Sequence, residues 1–189
     1  MLILILIKNI LLDKEGYLKI TDFGFAKIVE FKTFTLCGTP EYIAPEVILN
    51  KGHGKGVDWW TLGILIYEML TGEPPFVDGE PMGIYQKILT GSITFMKGYD
   101  KYAKSLTRKF LTSDLTKRYG CLRAGVDDIK KSKWFCGFDW RKLLERKLTV
   151  PIKPDVAGDN DTSNFDHYSD SECEATLPIF KNEDPFEAF

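Results

Sequence analysis

Hydrophobic and polar residues alternate differently in each part of the chain. Residues 9–21, NILLDKEGYLKIT, contain two short apolar runs on either side of a Gly-containing turn, which is typical of a β-hairpin. The stretch from Phe25 to Gly56 has mixed polarity, two prolines and four glycines. It predicts a long loop with one short helix near residues 45–49. Loops of that length in compact domains are usually functional.

The most apolar segment, VDWWTLGILIYEML, spans residues 57–70. Ten of its fourteen residues are hydrophobic, so we predict a helix that is buried on nearly all sides at the centre of the core. Shorter amphipathic helices are predicted at residues 82–90, 102–111, 126–131 and 140–147. Beyond Pro151 the sequence is polar, acidic and aperiodic, which indicates an extended tail. The expected fold is therefore mainly α with a small β-hairpin.

The composition and the distribution of charge indicate one globular domain followed by this tail. The chain has 189 residues, of which 44% are hydrophobic, enough for a sizeable core. Residues 1–154 hold 24 Lys and Arg against 17 Asp and Glu, whereas residues 155–189 hold 1 against 10. This asymmetry favours a tail that lies on its own body or on a partner, and it argues against nucleic-acid binding.

Cysteine spacing and the apolar N-terminus indicate the compartment. The four cysteines lie far apart, without the close pairs of a zinc site or the density of a disulfide scaffold, so we expect reduced thiols. The run from Met1 to Ile7 is too short to span a bilayer and lacks the features of a signal peptide. We expect no membrane span and a location in the cytoplasm or the nucleus.

The triplet DFG at residues 22–24 follows the second strand of the predicted hairpin. An Asp at a strand end can present a carboxylate to a hard cation such as Mg²⁺, although such a sequence is more often only a turn. Asn9 stands thirteen residues earlier, at the start of the paired strand. The hairpin would bring its amide oxygen near the Asp22 carboxylate, and together they predict a metal site.

Six motifs in this order resemble the catalytic subunit of cAMP-dependent protein kinase and related serine/threonine kinases that carry a C-terminal tail. They are Asn9, DFG at 22–24, TFTLCGTPEYIAPE at 33–46, VDWW at 57–60, LTKRYG at 115–120 and DTSNFDHY at 161–168. The resemblance implies part of a kinase C-terminal lobe at residues 9–150 and a kinase tail at residues 151–189. It also implies ATP and Mg²⁺ as cofactors and proteins as substrates.

For the metal and for regulation, the resemblance implies roles for four residues. Asp22 would hold the metal that bridges the ATP phosphates, and Asn9 would hold the second metal. Thr35 would be the activation-loop phosphorylation site, where a phosphate orders the loop by pairing with cations. Thr176 would be a second phosphorylation site, in the tail.

For the substrate, the resemblance implies a surface around the activation loop. Leu36, Pro40 and Ile43 would form the apolar pocket for the residue after the phosphoacceptor. Glu68 would bind a basic residue of the substrate, and Thr39 would hydrogen-bond the catalytic residues.

The remaining implied roles are structural or belong to the tail. Glu46 and Arg118 would form a buried ion pair, which we interpret as structural, and Asp58 would cap backbone amides of the catalytic loop. In the tail, Phe165 and Tyr168 would pass near the adenine pocket. Phe186 and Phe189 would insert into a groove on the N-terminal lobe.

Several other conspicuous residues have simpler interpretations. Trp59 and Trp60 are expected in the core. Cys37 lies in the substrate-facing loop but is interpreted as an inert thiol. His53 and His167 have no evident partners and are interpreted as surface histidines.

Residues 1–8 depart from the kinase pattern. The family reads roughly RDLKPEN where this chain reads ILILIKN, so Leu4 stands at the position of the catalytic Asp. Ile3 replaces the Arg that pairs with the phosphothreonine, and Leu6 replaces a phosphate-contacting Lys. Lys8 replaces a substrate-reading Glu, and Lys27 is the cation that remains for a phosphate on Thr35. We interpret residues 1–8 as a non-homologous apolar start.

Three hypotheses follow from these departures. In the first, the sequence is a fragment, an alternative product or a mistaken gene model of a serine/threonine kinase, and this chain is inactive alone. In the second, it is a non-catalytic protein that binds substrates, a cAMP-binding regulatory subunit or an activating kinase. In the third, it does not fold. We favour the first.

Overall fold

The computed structural model describes residues 9–167. The chain divides into two compact units, Met1–Lys153 and Pro154–Phe189. In the first unit the order of regular elements is one β-hairpin followed by six α-helices, with short 3-10 helices between some of them. The prediction of a mainly α fold with a small β-hairpin is confirmed. No helix among residues 9–167 is long and apolar enough to cross a membrane.

The hairpin consists of strands β1, Ile10–Leu12, and β2, Leu18–Ile20, which pair antiparallel with Ile10 opposite Ile20. The Asp13 carboxylate accepts backbone hydrogen bonds from Glu15 at 3.0 Å and Tyr17 at 2.9 Å, so it organises the turn. Gly16 has φ +84°, and a Cβ there would collide with the Ile152 carbonyl. A glycine therefore allows the turn to touch the end of the first unit.

The long predicted loop contains one tertiary contact that the sequence did not indicate. Thr33 and His53 exchange two backbone hydrogen bonds of 2.9 Å across a β-bridge. His53 is buried, so its interpretation as a surface histidine is wrong, because this bridge holds it against the protein. His167 is exposed, as expected. A 3-10 helix, Pro40–Tyr42, and helix α1, Pro45–Ile48, follow within the loop.

Helix α2, Gly56–Thr71, is the centre of the core. Its consecutive residues Ile64, Leu65 and Ile66 are all buried, which requires neighbours on every side of the helix. Trp60 is fully buried and stacks on Phe76 with ring centroids 6.1 Å apart. The prediction that the helix is buried on nearly all sides fails only in its last turn, where two apolar residues are exposed, Met69 and Leu70.

Four further helices follow α2 along the chain: α3, Pro81–Thr90; α4, Lys101–Phe110; α5, Val126–Lys130; and α6, Trp140–Leu144. A 3-10 helix, Lys133–Phe135, lies between α5 and α6. Helix α4 packs on α2 and encloses a second apolar cluster with Ile66, Phe110 and Ile129. Trp59 packs against this cluster, so both tryptophans of the VDWW motif contribute to the core.

Helix α6 ends three residues before the predicted Lys147. Arg146 has φ +55°, outside the helical region. Its side chain pairs instead with Asp13 and Glu15 of the hairpin turn, and its guanidinium lies 4.6 Å from the Tyr17 ring centroid. These contacts from a distant part of the chain favour an end to the helix at this point.

Residues 154–167 of the second unit contain turns without a helix or strand. The Asp161 carboxylate accepts hydrogen bonds from the backbone of Ala157 at 2.7 Å and Ser163 at 2.9 Å. The Asn164 amide donates to the Asp155 carbonyl at 2.7 Å. These three hydrogen bonds therefore join residues at most nine positions apart in the sequence.

Candidate active site

The base of the hairpin brings Asn9 and Asp22 together, as the sequence predicts. The Asn9 amide donates a hydrogen bond of 3.1 Å to the Asp22 carboxylate. The other carboxylate oxygen accepts the backbone N–H of Gly24 at 3.1 Å, and Asp22 itself has φ +60°. Its backbone conformation and two hydrogen bonds therefore fix the position of the carboxylate.

The donor set at this point fits Mg²⁺ only in part. Magnesium favours carboxylate and other oxygen ligands and usually takes one or two carboxylates together with phosphate oxygens and water. Asp22 supplies the carboxylate, and Asn9 could supply an amide oxygen once its amide turns away from the present bond. Among residues 9–167 no group of three or more His, Cys, Asp or Glu side chains could hold a metal. The pair offers one carboxylate and one amide, so further ligands of a metal would have to come from a bound molecule or from water.

The predicted loop at residues 25–56 is anchored to the rest of the unit by the pair Glu46–Arg118. Arg118 donates to both carboxylate oxygens, at 2.6 and 2.9 Å, and also to the carbonyls of Thr112 at 2.9 Å and Gly56 at 3.0 Å. Arg118 is fully buried and Glu46 is 7% exposed. The implied buried ion pair is present, and it holds α1 at the start of α2.

An acidic cluster lies at the far end of α2. The Tyr42 hydroxyl donates a hydrogen bond to the Glu68 carboxylate. Burial raises the pKa of Glu68, and the nearby carboxylate of Glu41 raises it further. Two carboxylates in a partly buried site favour a cationic ligand. Sequence reasoning found Glu68 but missed Glu41 and Tyr42, although both lie inside the TPEY motif that it singled out.

Thr35, the implied phosphorylation site, is exposed in the loop. It lines a pocket of about 20 Å³ with His53 and Ile43 among its neighbours. Lys27, predicted to face a phosphate on Thr35, donates a hydrogen bond of 3.1 Å to the Thr33 hydroxyl, two residues away. A cation is therefore held in this part of the loop, and its pairing with a phosphate stays a prediction.

The other substrate-side residues are placed as follows. Leu36 is 56% exposed and Ile43 is 3% exposed, so the first lies at the surface and the second lies in the core. Thr39 precedes the 3-10 helix, and its carbonyl accepts the Tyr42 N–H at 3.0 Å. Pro40 begins that helix. Their roles toward a substrate stay predictions.

Asp58 lies in the first turn of α2, and Phe165 is exposed within the second unit. The five other predicted site residues lie outside the described residues: Leu4, Tyr168, Thr176, Phe186 and Phe189.

Comparison with known proteins identifies the family. The protein kinase domain family matches residues 6–135. The human cAMP-dependent protein kinase catalytic subunit PRKX is 54% identical over 172 residues, which are 91% of this chain and 48% of the human protein. The cAMP-dependent protein kinase catalytic subunit 3 of Drosophila melanogaster is 54% identical over 165 residues, 87% of this chain and 28% of that protein.

A more distant relative agrees with these matches. The cAMP-dependent protein kinase type 3 of Saccharomyces cerevisiae is 46% identical over 180 residues, 95% of this chain and 44% of the yeast protein. The chain belongs to the protein kinase domain family, which confirms the resemblance drawn from the motifs. It spans about half the length of the human and mouse relatives, 48% and 51%.

Proposed function

We propose that residues 9–189 form the metal-binding and substrate-binding part of a protein serine/threonine kinase that uses Mg-ATP. The observation that carries this proposal is the Asn9–Asp22 pair at the hairpin base, with a bond of 3.1 Å. Mg²⁺, when bound, would neutralise charge on the ATP phosphates. Asp22 and Asn9 would hold that ion, and Glu41 and Glu68 would attract basic residues of the substrate.

We also propose that the 189-residue chain does not transfer phosphate alone. Phosphoryl transfer to a hydroxyl needs a carboxylate that accepts its proton. Leu4 stands at that position in the motif alignment, and an aliphatic side chain cannot accept a proton. The groups that act on the phosphate work as a unit. The loss of several of them together therefore reduces phosphate transfer.

A chimaeric protein tests the first proposal. The upstream half of the human relative, up to the position that aligns with Asn9, would be joined to Asn9 of this chain. We expect Mg²⁺-dependent transfer from labelled ATP to a serine peptide with preceding arginines. Asp22→Asn should reduce transfer to background, whereas the exposed control Asp159→Asn should leave it unchanged. A folded chimaera without activity, or one that Asp22→Asn does not affect, would contradict the proposal.

The same assay on the 189-residue chain tests the second proposal. We expect no labelling above a blank without enzyme. Magnesium-dependent labelling of the peptide by this chain alone, lost in Asp22→Ala, would overturn the proposed inactivity.

A second candidate function is binding of substrates or regulators without catalysis. The acidic cluster of Glu41 and Glu68 favours this function, and Tyr42 donates a hydrogen bond to Glu68 within it. Binding of a peptide to this cluster needs no catalytic loop. We expect the chain to bind an arginine-containing peptide in fluorescence anisotropy, and Glu68→Gln to weaken binding more than the control Glu80→Gln. Equal affinity for both variants would contradict this function.

A further inference from the structure

The first unit contains a pocket that the functions above do not use. It lies between α4 and the segment that joins α5 to the following 3-10 helix, and it encloses about 260 Å³. We call it the α4–α5 pocket. Three ammonium groups and four hydroxyl groups belong to its lining residues: Lys109, Lys131, Lys133, Tyr102, Ser105, Tyr119 and Ser132.

The charged residues that line this pocket are all positively charged. No Asp or Glu is among its lining residues. Within residues 9–167, none of Lys109, Lys131 and Lys133 takes part in an ion pair. The Lys109 ammonium lies 5.6 Å from the ring centroid of Tyr119, another residue of the pocket lining. Three unpaired cations around one concavity favour an anionic ligand.

The surrounding sequence strengthens the positive potential. Residues 97–147 hold 15 Lys and Arg against 6 Asp and Glu, whereas residues 9–96 hold 7 against 11. The sequence segment that carries Glu41 and Glu68 is thus net negative, and the segment that carries the lining residues of the α4–α5 pocket is net positive. The net charge around the pocket-lining residues in sequence favours an anion over a cation.

A second observation concerns Ser132. Its hydroxyl oxygen is buried and has no hydrogen-bond partner among the described residues. Buried hydroxyl groups in proteins are normally hydrogen-bonded. One carboxylate oxygen of Asp128, four residues earlier, is also buried without a partner, but Asp128 does not line the pocket. The protein itself therefore leaves the hydroxyl of this pocket-lining residue without a hydrogen-bond partner.

From these observations we infer that the α4–α5 pocket binds a phosphoryl group. A dianion gains more than a carboxylate from several ammonium groups, and its oxygens can accept bonds from lysines and hydroxyls together. A volume of about 260 Å³ is below the roughly 300–1,000 Å³ of most small-molecule sites, so one small group fits better than a nucleotide. The phosphoryl group can belong to free phosphate or to a phosphorylated side chain.

Titration of the 189-residue chain with inorganic phosphate at constant ionic strength tests this inference. Amide chemical shifts in NMR spectra should change saturably around Ser105, Lys109 and Ser132. The double variant Lys109→Gln/Lys131→Gln should weaken binding roughly tenfold, since it removes two of the three charges. Lys97→Gln removes one charge from an exposed residue outside the pocket and should change affinity less than about twofold.

A phosphothreonine peptide, compared with its unphosphorylated form, distinguishes the two sources. Tighter binding of the phosphopeptide than of free phosphate, at the same amides, assigns the site to a phosphorylated protein segment. Equal affinity assigns it to the free anion, and both results support the pocket.

Shifts that never saturate, or an equal loss of affinity in the double variant and in Lys97→Gln, would overturn the inference. If the double variant does not fold by circular dichroism, Lys133→Gln alone should still weaken binding severalfold. The measurement uses no ATP, so its result is independent of the proposed kinase function.

Discussion

Arg118 and Glu46, 72 residues apart in sequence, face each other inside the protein through two hydrogen bonds of 2.6 and 2.9 Å. Because two further carbonyls also accept hydrogen bonds from the guanidinium, each of its three nitrogens has a partner within the fold. The pair thereby ties the activation loop to the segment after α4. Its loss would leave a charge buried without compensation.

We expect Glu46→Gln and Arg118→Met each to lower the free energy of unfolding by about 3–5 kcal/mol, the usual cost of removing one partner of a buried pair. Urea denaturation followed by tryptophan fluorescence measures this. Lys117→Ala, which breaks the exposed pair with Asp114, should lower the free energy of unfolding far less, because solvent screens that pair. A similar small cost at Glu46 would mean that water solvates the pair.

Gly63, in the middle of α2, is predicted to be a position where any side chain lowers the stability of the protein. A Cβ there would lie 2.6 Å from the Phe110 Cβ and 2.9 Å from a methyl group of Leu111. Gly63→Ala should therefore destabilise the protein by about 1–3 kcal/mol, although alanine alone would favour a helix by about 1 kcal/mol. Thermal unfolding measures the balance. Gly79→Ala, with nothing within 4 Å of its Cβ, is the control, and stabilisation by Gly63→Ala would contradict the close packing.

Arg146 is predicted to hold the hairpin turn against the end of the first unit. Arg146→Ala should lower the melting temperature, because it removes the pairs with Asp13 and Glu15 and the contact with Tyr17. The effect should shrink in 1 M salt, where the Debye length is about 3 Å. Arg141→Ala, which breaks an exposed pair within α6, should change the melting temperature less. An equal change in both variants would contradict the prediction.

His53 is predicted to make stability depend on pH. Burial lowers its pKa below the usual value, Lys27 acts in the same direction, and Glu46 opposes them. The folded protein therefore binds this proton less readily than the unfolded chain, whose histidines have pKa values of about 6.5. Stability should be fully present above that pH and should fall as the pH drops below it.

Urea midpoints at pH 7.5 and pH 5.5 measure this dependence. His53→Gln should reduce the loss of stability between the two pH values, whereas His167→Gln, at the only other histidine, should not. The raised pKa of Glu68 has the opposite sign, but it is present in both variants and cancels in their comparison. An unchanged loss in His53→Gln would contradict the prediction.

The sequence pattern near the hairpin was enough to predict one part of the candidate site, the approach of Asn9 to Asp22. The Asn9–Asp22 approach could be predicted because a hairpin with a short turn pairs the residues at its two ends. The acidic cluster could be predicted only in part, since Glu68 lies on α2 and Glu41 lies in a loop. No periodicity links a loop residue to a helix residue 27 positions later. The contact with Tyr42 is visible only once the loop has folded.

The sequence by itself determined the hairpin, the central apolar helix and the family, because turn residues, apolar content and motif order act over short distances. Only the tertiary structure decided that His53 is buried, that α6 stops before Arg146, and that three lysines surround one pocket. Each of these depends on a contact between segments far apart in the chain. Local preferences of about 1 kcal/mol or less per residue yield to such contacts.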